Sequence, residues 1–229
     1  MGGYSELTEA QVEEFVATGI VRIEGAFSRS FAAEWVRRAL ERLGVDEQGV
    51  GTEVYMRAPP EDEIEAKVLA PRAWAAIEDL LGGADRVDQT AWRGGAGGGA
   101  VWQSDLAGNF GTAAERAKGD ASWVEPSARD ERNVPVGSWH KDGGHFRHFL
   151  DSPEQGLLTV VIWSDILPRS GGTFCALDSI GPVARLLASQ PAGIHPDSVQ
   201  GSGYLIPSLI SGCENFVELT GRAGDIILM

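Results

Sequence analysis

Polar and apolar positions at the start of the chain recur at helical spacing and are bounded by clear stop signals. In LTEAQVEEFVATG (residues 7–19) Thr8 is placed to cap a helix. Gln11 reaches back to it, Leu7 can staple onto Val12, and Gly19 ends the run. IVRI (20–23) then reads as a short strand. A second helix is predicted from about Ser28 to Leu43, with Phe31, Trp35, Ala39, Leu40 and Leu43 on one face and Gly44 as terminator. A third follows Pro71, with Trp74, Ile77 and Leu81 on one side and Gly82-Gly83 closing it. All three read as scaffold.

From residue 84 onward the texture changes. Short apolar runs alternate with Gly, Pro, Asp and Ser: DRVDQTAWR, GLLTVVIWSDI, GGTFCAL, ENFVELT and GDIILM. This spacing predicts an antiparallel β sandwich or barrel, interrupted by one more helix over 179–191. Helices first and strands afterwards predict an α+β chain in which N-terminal helices buttress a β core. With no internal repeat or linker in view, residues 1–229 are expected to form a single domain.

Composition narrows the partners. The chain is 43% hydrophobic and 23% charged, as a globular protein is, and its formal net charge is −14. Such an acidic surface repels phosphate backbones, so nucleic acid is not an expected partner. No leader-like segment and no 18-residue apolar stretch occur, so no membrane partner is expected either. The two cysteines, Cys175 and Cys213, are too few for a disulfide framework. A cytoplasmic protein with reduced thiols is the resulting expectation.

Two stretches invite chemistry without supplying it. GAGGGA (95–100) fits a dinucleotide-binding spacing, but no helix opens after it, so it reads as a glycine loop. Together with the polar segment that follows, residues 94–135 are expected to be a long loop of the kind that covers an active site.

The chemistry is in SWHKDGGHFRHFLDSPEQG (138–156), which holds three of the chain's four histidines. In an extended segment, side chains at i and i+2 point to the same side. His140 and Asp142 would then offer an imidazole and a carboxylate together, two thirds of the 2-His-1-carboxylate set that holds Fe(II). Gly143 and Gly144 let the chain turn directly afterwards. His145 and His148 are expected to line a pocket or satisfy backbone groups rather than bind metal.

These residues carry a wider resemblance. LTEAQVEEFVATGIVRIEGAFS, APRAWAAIEDLLGG and the run GSWHKDGGHFRHFLDSPEQGLLTVVIWSDILPRSGGTFCALDSIGPVARLL together resemble the phytanoyl-CoA dioxygenase family. Its members are non-haem Fe(II), 2-oxoglutarate-dependent oxygenases with a double-stranded β-helix (jelly-roll, cupin-like) core. The resemblance implies that His140 and Asp142 are iron ligands, that Trp163 lies near 2-oxoglutarate, and that GGTF turns into the next core strand. It implies Fe(II) as cofactor, 2-oxoglutarate and molecular oxygen as cosubstrates, and a small organic molecule as the substrate hydroxylated.

The family's third ligand is a histidine after a TG-x-x-GD turn, followed by an arginine that grips 2-oxoglutarate. The turn is here, in LTGRAGDIILM. On this resemblance the distal histidine and arginine are expected beyond Met229, and the 229-residue chain alone is expected to be inactive. His195, in a loop and followed by proline, is not the expected third ligand. Two alternatives stand beside this reading: a non-catalytic jelly-roll binding module, and a different cupin-like metalloenzyme using His145 or His148.

Overall fold

In the computed structural model the described residues are 3–45, 55–58, 63–87, 101–103, 106–109, 113–118, 123, 125–127, 139–144, 146–196 and 210–229. They comprise helices and short strands that pair antiparallel in small sheets. Among the described residues these sheets close no barrel. No helix among them is long and apolar enough to cross a membrane.

The chain divides into two compact units. The first takes in Met1–Trp123, Thr159–Gly172 and Thr220–Met229. It opens with α1 (Glu9–Thr18), capped as the sequence predicts: Gln11 N–H donates to Thr8 Oγ1 at 3.3 Å, and Thr8 N–H donates to Gln11 Oε1 at 3.0 Å. Strand β1 (Val21–Ile23) follows, then α2 (Arg29–Leu43), which Ser28 caps through the Phe31 N–H. Ala32, Trp35 and Ala39 are its buried stripe. Next come β2 (Tyr55–Ala58), β3 (Glu63–Glu65), the single turn α3 (Ala66–Leu69), and α4 (Pro71–Leu81), which buries Ala73, Trp74, Ala76 and Ile77. The stretch predicted as a strand from residue 85 begins instead as a 3-10 turn, Ala84–Arg86, tightened by Arg86 N–H donating to the Gly83 carbonyl. Residues 88–93 of that stretch, and the glycine run 95–100, lie outside the described residues.

The segment expected to be one long loop carries regular structure where it is described. It includes β4 (Val101–Gln103), β5 (Leu106–Asn109) and α5 (Ala113–Lys118). Strand β5 pairs antiparallel with β2, and β4 with β3.

The principal sheet of this unit runs β1-β9-β6, where β6 is Thr159–Val161 and β9 is Ile226–Leu228. Val21 and Thr159 both register with Leu228, and Ile23 and Val161 with Ile226. The central strand is the most buried, with Ile226 and Leu228 at 0% exposure, so an unbroken apolar run is what the position requires. Helices α1 and α4 lie against β1. The TGRAGD turn that leads into β9 is anchored throughout: Gly224 N–H donates to the Ile162 carbonyl at 2.9 Å, and Phe27 N–H donates to the Gly224 carbonyl at 3.1 Å. The buried Asp225 carboxylate accepts from Gly25 and Arg222 N–H groups, each at 2.9 Å.

The second unit takes in Val124–Leu158 and Thr173–Leu219. Its strands β7 (Phe174–Ala176) and β8 (Phe216–Glu218) pair antiparallel, and α6 (Ile180–Ala188) follows β7 through a 3-10 turn at Leu177–Ser179. Ile210 and Cys213 form its buried cluster, packed by Trp139, Ala176, Val183 and Phe216.

Candidate metal centre

His140 and Asp142 belong to the second unit, immediately after Trp139, whose indole fixes the start of the segment. Trp139 Nε1–H donates to the Ser127 carbonyl at 2.9 Å, and its ring lies 5.3 Å from that of Phe216. The next residues alternate as an extended chain does. His140 and Asp142 are about half exposed, at 55% and 50% of their side-chain surface, while the intervening Lys141 carries its Nζ inward. Burial lowers the Lys141 pKa.

His140 Nε2 and Asp142 Oδ1 are 3.5 Å apart. Donors bound at right angles on one first-row divalent ion, with bonds of about 2.0–2.2 Å, lie about 3 Å from each other. The observed 3.5 Å is close to that separation. The pair therefore fits the imidazole-plus-carboxylate portion of an Fe(II) site. The juxtaposition expected from the spacing is present, although no named strand carries it. Asp142 sits in a bend, and Gly143 turns the chain with φ +107°, a region that side chains other than glycine's rarely enter.

The other histidines have different surroundings. His148 is 7% exposed, and its backbone forms a β-bridge with Ile194, with N–H to carbonyl bonds of 2.9 and 2.8 Å. Its ring stacks on Phe146, centroids 4.3 Å apart. His148 Nε2 lies 2.6 Å from the Gly143 carbonyl oxygen. A carbonyl can only accept, so the proton is on Nε2 and the imidazole donates. The role open to it in sequence, satisfying a backbone group, is the one it has. His145 lies outside the described residues, and His195 is exposed in irregular chain just after the Ile194 bridge.

Cys175 lies near this pair. Burial, with the Asp142 charge adding to it, pushes its thiol up to about 11, which leaves it protonated at neutral pH. Cys213 is raised as well, chiefly by burial and then by Asp178. Among the described residues no group of three His, Cys, Asp or Glu side chains converges to hold a metal ion.

Trp163 belongs to the first unit. It joins Phe27, Phe31 and Trp35 in an aromatic cluster, stacked on Trp35 and 5.1 Å from Phe27 between centroids. The tie between His148 and Gly143, and the position of Cys175, were not foreseen from the sequence; the alternation of His140 and Asp142 was the one signal available in it. No family model, curated protein or solved structure matches this chain.

Proposed function

We propose that this chain is a non-haem Fe(II)- and 2-oxoglutarate-dependent dioxygenase that hydroxylates a small organic substrate, with the double-stranded β-helix core of the phytanoyl-CoA dioxygenase family. The observation that supports it is the approach of His140 Nε2 and Asp142 Oδ1 to 3.5 Å, on the exposed side of a segment whose next residue turns away. His140 and Asp142 would hold the iron. When bound, iron supplies the oxidising chemistry, in which 2-oxoglutarate is decarboxylated to succinate and one oxygen atom enters a substrate C–H bond. The protein's own part is to fix two donors on adjacent coordination positions and leave their outer side open to cosubstrate. Trp163 as a neighbour of 2-oxoglutarate is part of this reading and rests on the sequence resemblance.

A second reading is a jelly-roll binding module without iron. It needs no third converging donor, and none is found among the described residues. Anaerobic Fe(II) titration in the presence of 2-oxoglutarate separates the two. The wild-type protein should bind iron, and His140→Ala and Asp142→Ala should each lose it. Equal binding by all three proteins, or none by the wild type, would reject the dioxygenase reading in favour of the module.

A further inference from the structure

We propose that the outer edge of β1 is a docking site for an extended peptide segment carrying basic residues, which joins the sheet beside Arg22. The site belongs wholly to the first unit and does not depend on the metal-centre reading.

Strand β1 ends its sheet, whose order is β1-β9-β6. Which of its peptide groups the sheet uses follows from the far side of β9. Ile162 N–H donates to the Asp225 carbonyl at 3.0 Å, so Asp225 faces the β6 side. Alternate residues of a strand turn their N–H and C=O groups to the same edge. Ile227 therefore faces β6, and Ile226 and Leu228 face β1. Their register partners Ile23 and Val21 are the residues through which β1 bonds, and Arg22 turns its N–H and C=O outward. To either side the same edge is capped by side chains. Thr18 Oγ1 donates to the Ile20 carbonyl and Arg72 Nη1 to the Glu24 carbonyl, each at 3.1 Å. Among the described residues nothing caps the Arg22 peptide groups. One N–H and one C=O are left, which is the pair that one residue of an added antiparallel strand takes up.

A cavity of about 380 Å³ lies at this edge, lined by Gln11 and Glu14 of α1, by Arg22, Ile23 and Glu24, and by Arg72 of α4. Ligand pockets run from about 300 to 1,000 Å³, so this one suits a few residues rather than a long strand. Its charges select the occupant. Arg72 is engaged by Glu6 at 2.6 Å. The Glu14 carboxylate has no partner among the described residues, and Glu24 has Arg22 at 3.7 Å. The unsatisfied charge is negative and calls for lysine or arginine. Register places those residues. Val21 and Ile23 are buried on the face that α1 and α4 cover, and Arg22 is on the exposed face. An added residue opposite Arg22 shares its face, where a second positive charge would repel it. The neighbours of that residue point to the α1 side, toward Glu14. The occupant is thus a segment in which basic residues alternate with neutral or acidic ones. Antiparallel self-pairing of β1 about residue 22 would set Arg22 against Arg22, which disfavours a second copy of this chain.

The test titrates the ¹⁵N-labelled 229-residue protein with a blocked hexapeptide of alternating threonine and lysine. The Arg22 amide resonance should shift saturably. The same peptide N-methylated at its threonines lacks the donor for the Arg22 carbonyl and should bind about tenfold more weakly. Methylation at the lysines, whose N–H groups face away, should leave binding within about twofold. Glu14→Gln should weaken binding about two- to fivefold, the worth of an exposed ion pair. Arg22→Pro deletes an N–H that the sheet does not use and should abolish binding in protein that circular dichroism shows to be folded. Should that variant not fold, the two methylated peptides decide. Equal binding by all three peptides, a shift confined to residues away from Arg22, or no binding at millimolar peptide would overturn the proposal. A concentration-dependent shift of the Arg22 amide without peptide, accompanied by dimer sedimentation, would overturn it in favour of a second copy.

Discussion

Trp35 and Trp163 lie face to face, their ring centroids 5.3 Å apart and their planes within 6° of parallel. Trp35 is 6% exposed and sits on the buried stripe of α2, so this stack joins the helix to the chain just beyond β6. Phe31 is 5.2 Å from Trp35 and Phe27 is 5.1 Å from Trp163, which makes one continuous aromatic cluster. Whatever else Trp163 contacts, it has a packing role.

Trp163→Ala should therefore lower the unfolding free energy by about 3 kcal/mol, and Trp163→Phe, which keeps a ring on Trp35, by about 1 kcal/mol. Urea denaturation measures both, and near-UV circular dichroism should lose the paired-indole signal in either variant. An alanine variant as stable as the wild type would mean that the stack carries no stability.

Asp79 governs the N-terminal segment. Its carboxylate accepts from the Ser5, Glu6 and Leu7 N–H groups and from the Ser5 hydroxyl, at 2.8 to 3.0 Å. Partial burial pushes its pKa up, but these hydrogen bonds outweigh it and hold the group below the usual carboxylate value. A group depressed on folding stabilises the protein fully above its unfolded value, about pH 4, and loses that contribution as pH falls through the folded value. Asp79→Ala should cost about 1–2 kcal/mol at pH 7, the groups being partly exposed. It should also flatten the loss of stability below about pH 4, which urea melts across pH 3–7 would show. An unchanged acid limb would contradict the assignment.

The turn before β9 offers a sharper test. Gly224 has φ +97°, and a side chain there would run into the Phe27 carbonyl oxygen, which is backbone and cannot swing aside. Gly224→Ala should destabilise by more than about 2 kcal/mol, since the unfavourable backbone region alone costs about 1–2 kcal/mol. A thermal melt decides it: a variant within a degree or two of wild type would mean that the turn relaxes freely.

Thiol chemistry gives a fourth check. With its pKa pushed up to about 11, Cys175 should resist iodoacetamide at pH 7.5 in the folded protein and react readily in urea. Asp142→Asn removes the second cause of the shift and should speed the native reaction modestly. Rapid native alkylation of Cys175 in the wild type would show that the thiol is far more open than the fold indicates.

Helices α1, α2 and α4 are legible because their ends are written in local chemistry, whereas α3 and α5 are not. Thr8 and Ser28 cap as their positions imply, and Gly19, Gly44 and Gly82 close α1, α2 and α4 in the left-handed region, at φ 72°, 68° and 89°. The apolar strands β1, β6, β7, β8 and β9 fall inside the runs that predict them. The pairs β2 with β5 and β3 with β4 are not legible, because YMRA, EIE, VWQ and LAGN are too short to show a sustained alternation. Such short strands are defined by their partners. The site divides in the same way. The pairing of His140 and Asp142 follows from local alternation, whereas the bond from His148 to Gly143 depends on a fold-back that no spacing rule contains.

The place of β9 also sets an order of events. Residues 226–228 supply the middle strand to which residues 21–23 and 159–161 both bond, so among the described residues the sheet that unites these strands forms only when 226–228 arrive. During synthesis α1 and α4, which lie against β1, emerge long before the strand that completes that sheet. Completion of this sheet therefore depends on contacts distant in sequence, the kind that form slowly.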